Sequence, residues 1–172
     1  FLQHRATDPY ADDADDADDA DDADSPIIVK AVESRGSLIS VIMPIYQPKL
    51  AWLRTAVASV QKQTYRDWQL LIVLDGDPSS EVLTYLEPLA AADSRIQCLF
   101  NQRGGISSTL NRGLSVCAGA YTTFVDQDDI LEPTALSHVA AAIAHDEPDI
   151  LYTGEDYVDE RGNAHLPSVN PA

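Results

Sequence analysis

The chain has 172 residues, a formal net charge of −17 and 45% hydrophobic residues. That length suits one domain with an appendage, and no apolar run approaches the ~20 residues of a membrane span. The 11 basic residues face 28 acidic ones and form no cluster, which argues against nucleic acid as a partner.

The charge is uneven. Residues 1–25 hold ten aspartates against Arg5, a net of −9, which leaves −8 for the rest of the chain. Ala11 to Asp24 repeats Ala-Asp-Asp, with no side chain able to build a core and with charges that repel along its length. Residues 1–25 are therefore expected to be a disordered acidic tail and 26–37 a linker. The first residue is Phe1 rather than methionine, so the chain reads as a piece of a longer protein.

From residue 38 onward, apolar runs alternate with segments of 3.6-residue period. "LISVIMPIY" (38–46) predicts a buried strand, and Leu50, Leu53, Val57 and Val60 share one face of a following helix. "WQLLIVLD" (68–75) is a second strand, ending at the turn "DGDPSS". Val82, Leu83, Leu86 and Leu89 mark a helix that Asp93 closes, and "RIQCLF" (95–100) a third strand. After "RGG", Ile106, Leu110, Leu114 and Cys117 line the next helix; "YTTFV" (121–125) is a fourth strand. Pro133 fits the first turn of a helix carried on by Leu136, Val139 and Ile143. "DILYT" (149–153) begins a fifth strand, and "ERGN" (160–163) reads as a hairpin turn. Cys98 and Cys117 are too few for a disulfide framework and sit in apolar patterns, as buried thiols in a reducing compartment would.

Strand–helix alternation of this kind predicts an α/β domain over 38–172, with a mostly parallel sheet covered by helices on both faces. Ligands bind such sheets at the carboxyl ends of the strands. The acids fall at those ends: Asp75 after the second strand, and Asp126, Asp128 and Asp129 after the fourth. Two carboxylates about 4 Å apart repel by roughly 4 kcal/mol at an effective dielectric near 20, so something must offset "DQDD". One reading is a helix cap, which needs a single acid. The other is a hard divalent cation, Mg²⁺ or Mn²⁺, held by Asp126 and Asp128 and completed by a diphosphate. Asp75 is either a turn residue or an acceptor for an N–H group of a planar ligand such as a nucleobase. Tyr46 could lend an aromatic surface, and Arg103 a charge near an anion.

"ISVIMPIYQP", "SVQKQTYRDWQLLIVLDGD", "GGISSTLNRGLSVCAGAYTTFVDQDDIL" and "ILYTGEDYVDERGN", in that order, resemble a family 2 glycosyltransferase, nearest the bacterial branch that builds O-antigen and rhamnose-containing surface polysaccharides. The resemblance runs from about Leu38 to Pro171. It implies a GT-A fold, a nucleoside-diphosphate sugar donor, a divalent metal, inversion at the anomeric carbon, and a saccharide or lipid-linked saccharide acceptor. It also implies a cytoplasmic enzyme, compatible with peripheral attachment to the inner face of a membrane. The family's nucleotide-binding strand end falls on Pro44, Ile45 and Tyr46, its base-recognising aspartate on Asp75, and its DxD motif on Asp126 and Asp128, with Asp128 the expected metal ligand. Gln47 stands where the family has asparagine, and "LDGD" where it has "DDGS", departures that bear on nucleotide preference rather than fold. The acceptor half and the general base are expected beyond residue 172, so the C-terminal part of the fold is expected to be missing. Glu155 and Asp156, the late acidic pair, read as part of a surface hairpin.

Two rivals fit less well. A haloacid-dehalogenase-like phosphatase would use Asp126 as nucleophile and Asp128 as acid/base, but Ile130 takes its threonine position and no lysine follows Lys62. A Rossmann dehydrogenase would need a glycine turn where "MPIYQPK" stands. A non-catalytic nucleotide-binding or interaction module is the remaining alternative.

Overall fold

The computed structural model describes residues 2–5, 27–30, 38–158 and 164–167. In chain order these form β1 (Leu2–Arg5), β2 (Ile27–Lys30), β3 (Ile39–Ile45), α1 (Leu50–Gln61), β4 (Trp68–Asp75), α2 (Ser80–Ala92), β5 (Ile96–Asn101), α3 (Gly105–Leu114), β6 (Tyr121–Phe124), β7 (Ile130–Leu131), α4 (Ala135–Asp146), β8 (Ile150–Tyr152), β9 (Glu155–Val158) and β10 (Ala164–Pro167).

Every residue of β3 is buried, as a strand apolar on both faces requires. Ile39, Val41, Met43 and Ile45 join a core built with Leu53, Val57 and Val60 of α1, Val82 and Leu86 of α2, and Leu136 and Val139 of α4. Ile42 points to a second core with Leu71 and Val73 of β4, packed by Leu110 of α3 and Phe124 of β6. Helices thus cover both faces, α3 on one and α1, α2 and α4 on the other. The six-stranded sheet runs β5-β4-β3-β6-β2-β8. Its first four strands are parallel, while β2 lies antiparallel to β6 and β8. The result is the expected α/β architecture with a mostly parallel core.

Four expectations change. Strand β2 lies inside the segment read as a linker and β1 inside the segment read as a disordered tail. "IIVK" is a short β-branched run, and it fills a slot between β6 and β8 that would otherwise be an open edge. Strand β1 pairs with β7 and β9 in a second sheet, ordered β10-β9-β1-β7; the Ala-Asp-Asp repeat lies outside the described residues. The α3 face is also different. Ile106 and Leu114 are 58% and 44% exposed, and the helix buries Thr109 and Gly113 instead. The cause is distance: a Cβ on Gly113 would sit 2.7 Å from Cγ2 of Ile42, so α3 lies too close to β3 for a larger side chain. Finally, Pro133 precedes the N-cap Thr134 of α4 rather than joining its first turn. Strands β9 and β10 pair antiparallel, as in the expected hairpin, though its turn 160–163 lies outside the described residues. Cys98 and Cys117 are free and half-buried rather than buried, and burial pushes the Cys98 thiol up.

Gly113→Ala should therefore overpack the α3–β3 contact, at a cost of about 1–3 kcal/mol. Thermal unfolding should show the loss. Pairing it with Ile42→Ala should cost less than the two single changes added together; simple additivity would mean that the two residues do not meet.

Candidate functional site

Parallel pairing sets the site. Ile45 of β3 is level with Leu74 of β4, Asp75 with Asn101 of β5, and Ile42 with Phe124 of β6. The chain segments leaving these strands therefore emerge at one rim. Pro44, Ile45, Tyr46, Asp75, Asp126 and Asp128 all line one cavity of about 400 Å³, together with Arg103, Ile106, Thr109 and Gln127. A wider cleft of about 970 Å³ adjoins it. The cleft shares Ile45, Tyr46, Asp75 and Arg103 and adds Phe100, Asn101, Gln102, Asp77 and Pro78.

The acids that follow β6 do not share one role. Asp129 is buried and its carboxylate accepts from the Asp126 amide at 3.4 Å, while its own amide donates to the Asp126 carbonyl at 3.2 Å. Asp126 and Asp128 line the cavity. None of the three caps a helix, because β7 follows them directly and Thr134 is the N-cap of α4. Gln127, between the two lining acids, has a role that sequence reasoning missed. Its Oε1 accepts from the Tyr46 amide at 2.9 Å and its Nε2 donates to the Tyr46 carbonyl at 3.1 Å. A side-chain amide carries both a donor and an acceptor, so Gln127 closes β3 against the acidic turn as a neighbouring strand would. A carboxylate there could not donate.

Asp75 also has partners that its sequence context did not reveal. Its Oδ1 accepts from the Gly104 amide at 2.8 Å and its Oδ2 from the Gly105 amide at 3.0 Å. These are the free donors at the start of α3. The Asn101 Nδ2 adds a 3.4 Å contact to Oδ1. Chiefly through the Gly104 amide, the carboxyl is held below the usual carboxylate range. Gly76, next in sequence, takes φ +85, a conformation in which a side chain would be strained. Gln47 adopts the left-handed region too, at φ 43. Asparagine tolerates that region better than glutamine does, which gives a backbone reason for the asparagine that the resemblance expects there.

Among the described residues no group of three or more His, Cys, Asp or Glu side chains could hold a metal ion. Asp126 and Asp128 are two hard oxygen donors on a shared cavity, a set that suits Mg²⁺ or Mn²⁺ when a ligand supplies the remaining oxygens. Glu155 and Asp156 lie on β9, in the other sheet, and Asp156 is not among the described residues that line the two cavities.

The sequence profile described as "Glycosyl transferase family 2" matches residues 40–168. The chain belongs to this family. That match sets aside the phosphatase and dehydrogenase readings. Among its relatives, the uncharacterized protein y4gI of Sinorhizobium fredii is 38% identical over 129 residues, 74% of this chain and 14% of that protein. The O-antigen biosynthesis protein RfbC of Myxococcus xanthus is 36% identical over 140 residues, 80% of this chain and 11% of that protein. The chain thus spans only a small part of the curated relatives it matches. Among solved structures, S. aureus TarS 1–349 in complex with UDP-GlcNAc superposes with a TM-score of 0.58 at 23% identity, over 63% of this chain and 32% of that one. The mannosyltransferase PcManGT of Pyrobaculum calidifontis, in complex with GDP-Man and Mn²⁺, gives 0.51 at 17% identity, over 61% and 31%. These likenesses show the GT-A fold.

Two stability outcomes follow. Gln47→Asn should relieve part of the left-handed strain and stabilise the chain by on the order of 0.5–1 kcal/mol; an unchanged or lower melting temperature would mean that Gln47 bears no strain. Asp75→Asn should destabilise at neutral pH. Because the folded carboxyl is depressed, its contribution is complete above the ordinary value of 3.8 and is lost as pH falls through the folded value. The melting temperatures of Asp75→Asn and the parent should therefore converge between pH 5 and strong acid. A constant gap would show that the charge is irrelevant.

Proposed function

We propose that this chain supplies the donor-binding site of a metal-dependent, inverting glycosyltransferase that acts on a surface polysaccharide. One observation carries the reading: three parallel strand ends gather Tyr46, Asp75, Asp126 and Asp128 around one cavity. The two adjoining spaces are of the size that small-molecule ligands occupy.

In this proposal the nucleobase lies in the wider cleft, against Ile45 and Tyr46, with Pro44 on the side of the adjoining cavity. Asp75 accepts from a base N–H. Each carboxylate oxygen has two acceptor positions; the Gly104 amide and Asn101 take those of Oδ1, and the Gly105 amide takes one of Oδ2, whose second position is the one for that contact. The diphosphate lies toward Asp126 and Asp128, which would hold Mg²⁺ or Mn²⁺, with Asp128 the principal ligand. A cation held there supplies neutralisation of the charge that builds on a departing diphosphate. The acceptor hydroxyl oxygen attacks the anomeric carbon from the far side. The new C–O bond forms as the bond to the diphosphate breaks, the electron pair leaves with the nucleoside diphosphate, and the hydroxyl proton passes to a general base. The resemblance places that base C-terminal to the donor motifs, and neither Glu155 nor Asp156 is assigned the role.

The name of the M. xanthus relative supports a polysaccharide acceptor, saccharide or lipid-linked. The UDP-GlcNAc, GDP-Man and Mn²⁺ in structures of the same fold support a nucleotide-sugar donor and a divalent metal. Among the described residues no helix is long and apolar enough to cross a membrane. A cytoplasmic site, at the inner face of a membrane, belongs to the same proposal.

Calorimetry with UDP, dTDP and GDP, each with and without Mn²⁺, tests it. At least one should bind in a Mn²⁺-dependent manner. Asp128→Asn should weaken that binding about tenfold or more, the scale of a lost charged contact, while circular dichroism stays unchanged. Normal Mn²⁺-dependent binding by Asp128→Asn would remove the metal role from the acidic turn.

A further inference from the structure

The cavity and the cleft meet at one contact. The Arg103 guanidinium donates to the Tyr46 hydroxyl at 2.6 Å and lies 5.1 Å from the centroid of the tyrosine ring. Both residues line both spaces. A cation resting on a neutral phenol is unexpected here, because Asp75, Asp77, Asp126 and Asp128 line the same two spaces. Among the described residues none of these acids forms an ion pair with Arg103. Asp75 has turned both oxygens to the amides of Gly104 and Gly105.

Arg103 is also the one Arg, Lys or His among the described residues lining either space. The root of its side chain is fixed. A Cβ on Gly76 would meet the Arg103 Cβ at 3.4 Å, the Gly76 amide donates to the Asn101 carbonyl at 3.0 Å, and Asp75 ties down the two residues that follow Arg103. Among the described residues the phenol alone holds the far end. Among the described residues lining the cavity, an entering diphosphate meets the acids Asp75, Asp126 and Asp128 and one positive group, Arg103.

We propose that Arg103 is the cation that grips the diphosphate of the bound nucleotide, and that its bond to Tyr46 is the resting position it leaves when the diphosphate arrives. The inference rests on the donor-site reading above and assigns that site a residue. A guanidinium presents a planar fork of donors that matches phosphate oxygens. The exchange replaces a bond from the guanidinium to a neutral oxygen with one to an anionic oxygen, in which both partners are charged and a bidentate fork is open. It also opens the bar between cleft and cavity, so that one nucleotide can occupy both.

The test compares a nucleoside with its diphosphate, using whichever of UDP, dTDP and GDP binds the parent chain in Mn²⁺. Arg103→Gln should weaken diphosphate binding by about 10- to 100-fold, the range of a charged hydrogen bond, and leave nucleoside affinity unchanged, which also reports an intact fold. Arg103→Lys should recover part of the loss. Tyr46→Phe keeps the ring but releases the guanidinium, and should bind the diphosphate at least as tightly as the parent. Three results would overturn the assignment: full diphosphate affinity in Arg103→Gln, an equal loss for nucleoside and diphosphate, or a loss in Tyr46→Phe as large as in Arg103→Gln. Each leaves the donor site standing without Arg103. A parent chain that binds none of the three nucleotides removes the donor site and this role together.

Discussion

The structure depends on β3 lying in parallel register between β4 and β6. Both faces of the strand are buried, so a slip of one residue would exchange its two cores. That register fixes the height at which three chain segments leave the sheet, and the cavity is the space between them. The strands alone would leave those ends free to fray. Gln127 prevents this by exchanging two hydrogen bonds with the backbone of Tyr46, and Asp75 does so by accepting from two amides at the head of α3.

The acid-rich rim is tolerable because its carboxylates are separated by task. Asp129 is drawn inward to the backbone of its own turn, and Asp75 is satisfied by helix amides. Asp126 and Asp128 are the acids of the four-residue run that line the cavity. A general account of "DQDD" as three competing charges therefore overstates the repulsion. Two acids of the run, and not three, line the cavity in which the proposed cation would sit.

Much of this was legible in the sequence. The five strands from residue 38 onward and the four helices appear where apolar periodicity placed them, and the acids at strand ends pointed to the rim. The misreadings share a cause. Periodicity weighs large apolar side chains, so Ile106 and Leu114 seemed to mark the buried face of α3, whereas close approach to Ile42 selected Gly113 and Thr109. Likewise, "LQHR" and "IIVK" are too short to read as strands until the partners beside them are known. The Gln127 clasp and the Asp75 cap are long-range contacts of a side chain with backbone, 81 and 29 residues away. No local pattern encodes them, although an amide set between two acids is the one available signal.

The acidic turn is braced on both sides, and this bears on what it can do. Before it, β6 is held between β3 and β2. After it, the Leu131 amide donates to the Ser59 hydroxyl at 3.0 Å, and the buried Gln63 donates to the Glu132 carbonyl at 2.7 Å and accepts from the Leu136 amide at 2.9 Å. Within the second sheet, β1 pairs with β7 along its edge through Leu2 and Gln3. A turn fixed at both ends cannot shift the residues that line the cavity as a free loop would. Under the proposed function, a cation bound there would not have to order the chain, which is the sense in which such a site would be preorganised. The opposite arrangement holds at Arg103, whose root is fixed and whose charged end rests on the Tyr46 hydroxyl. Under the proposed function, the site is rigid where it would concentrate charge, and adjustable where a ligand would enter.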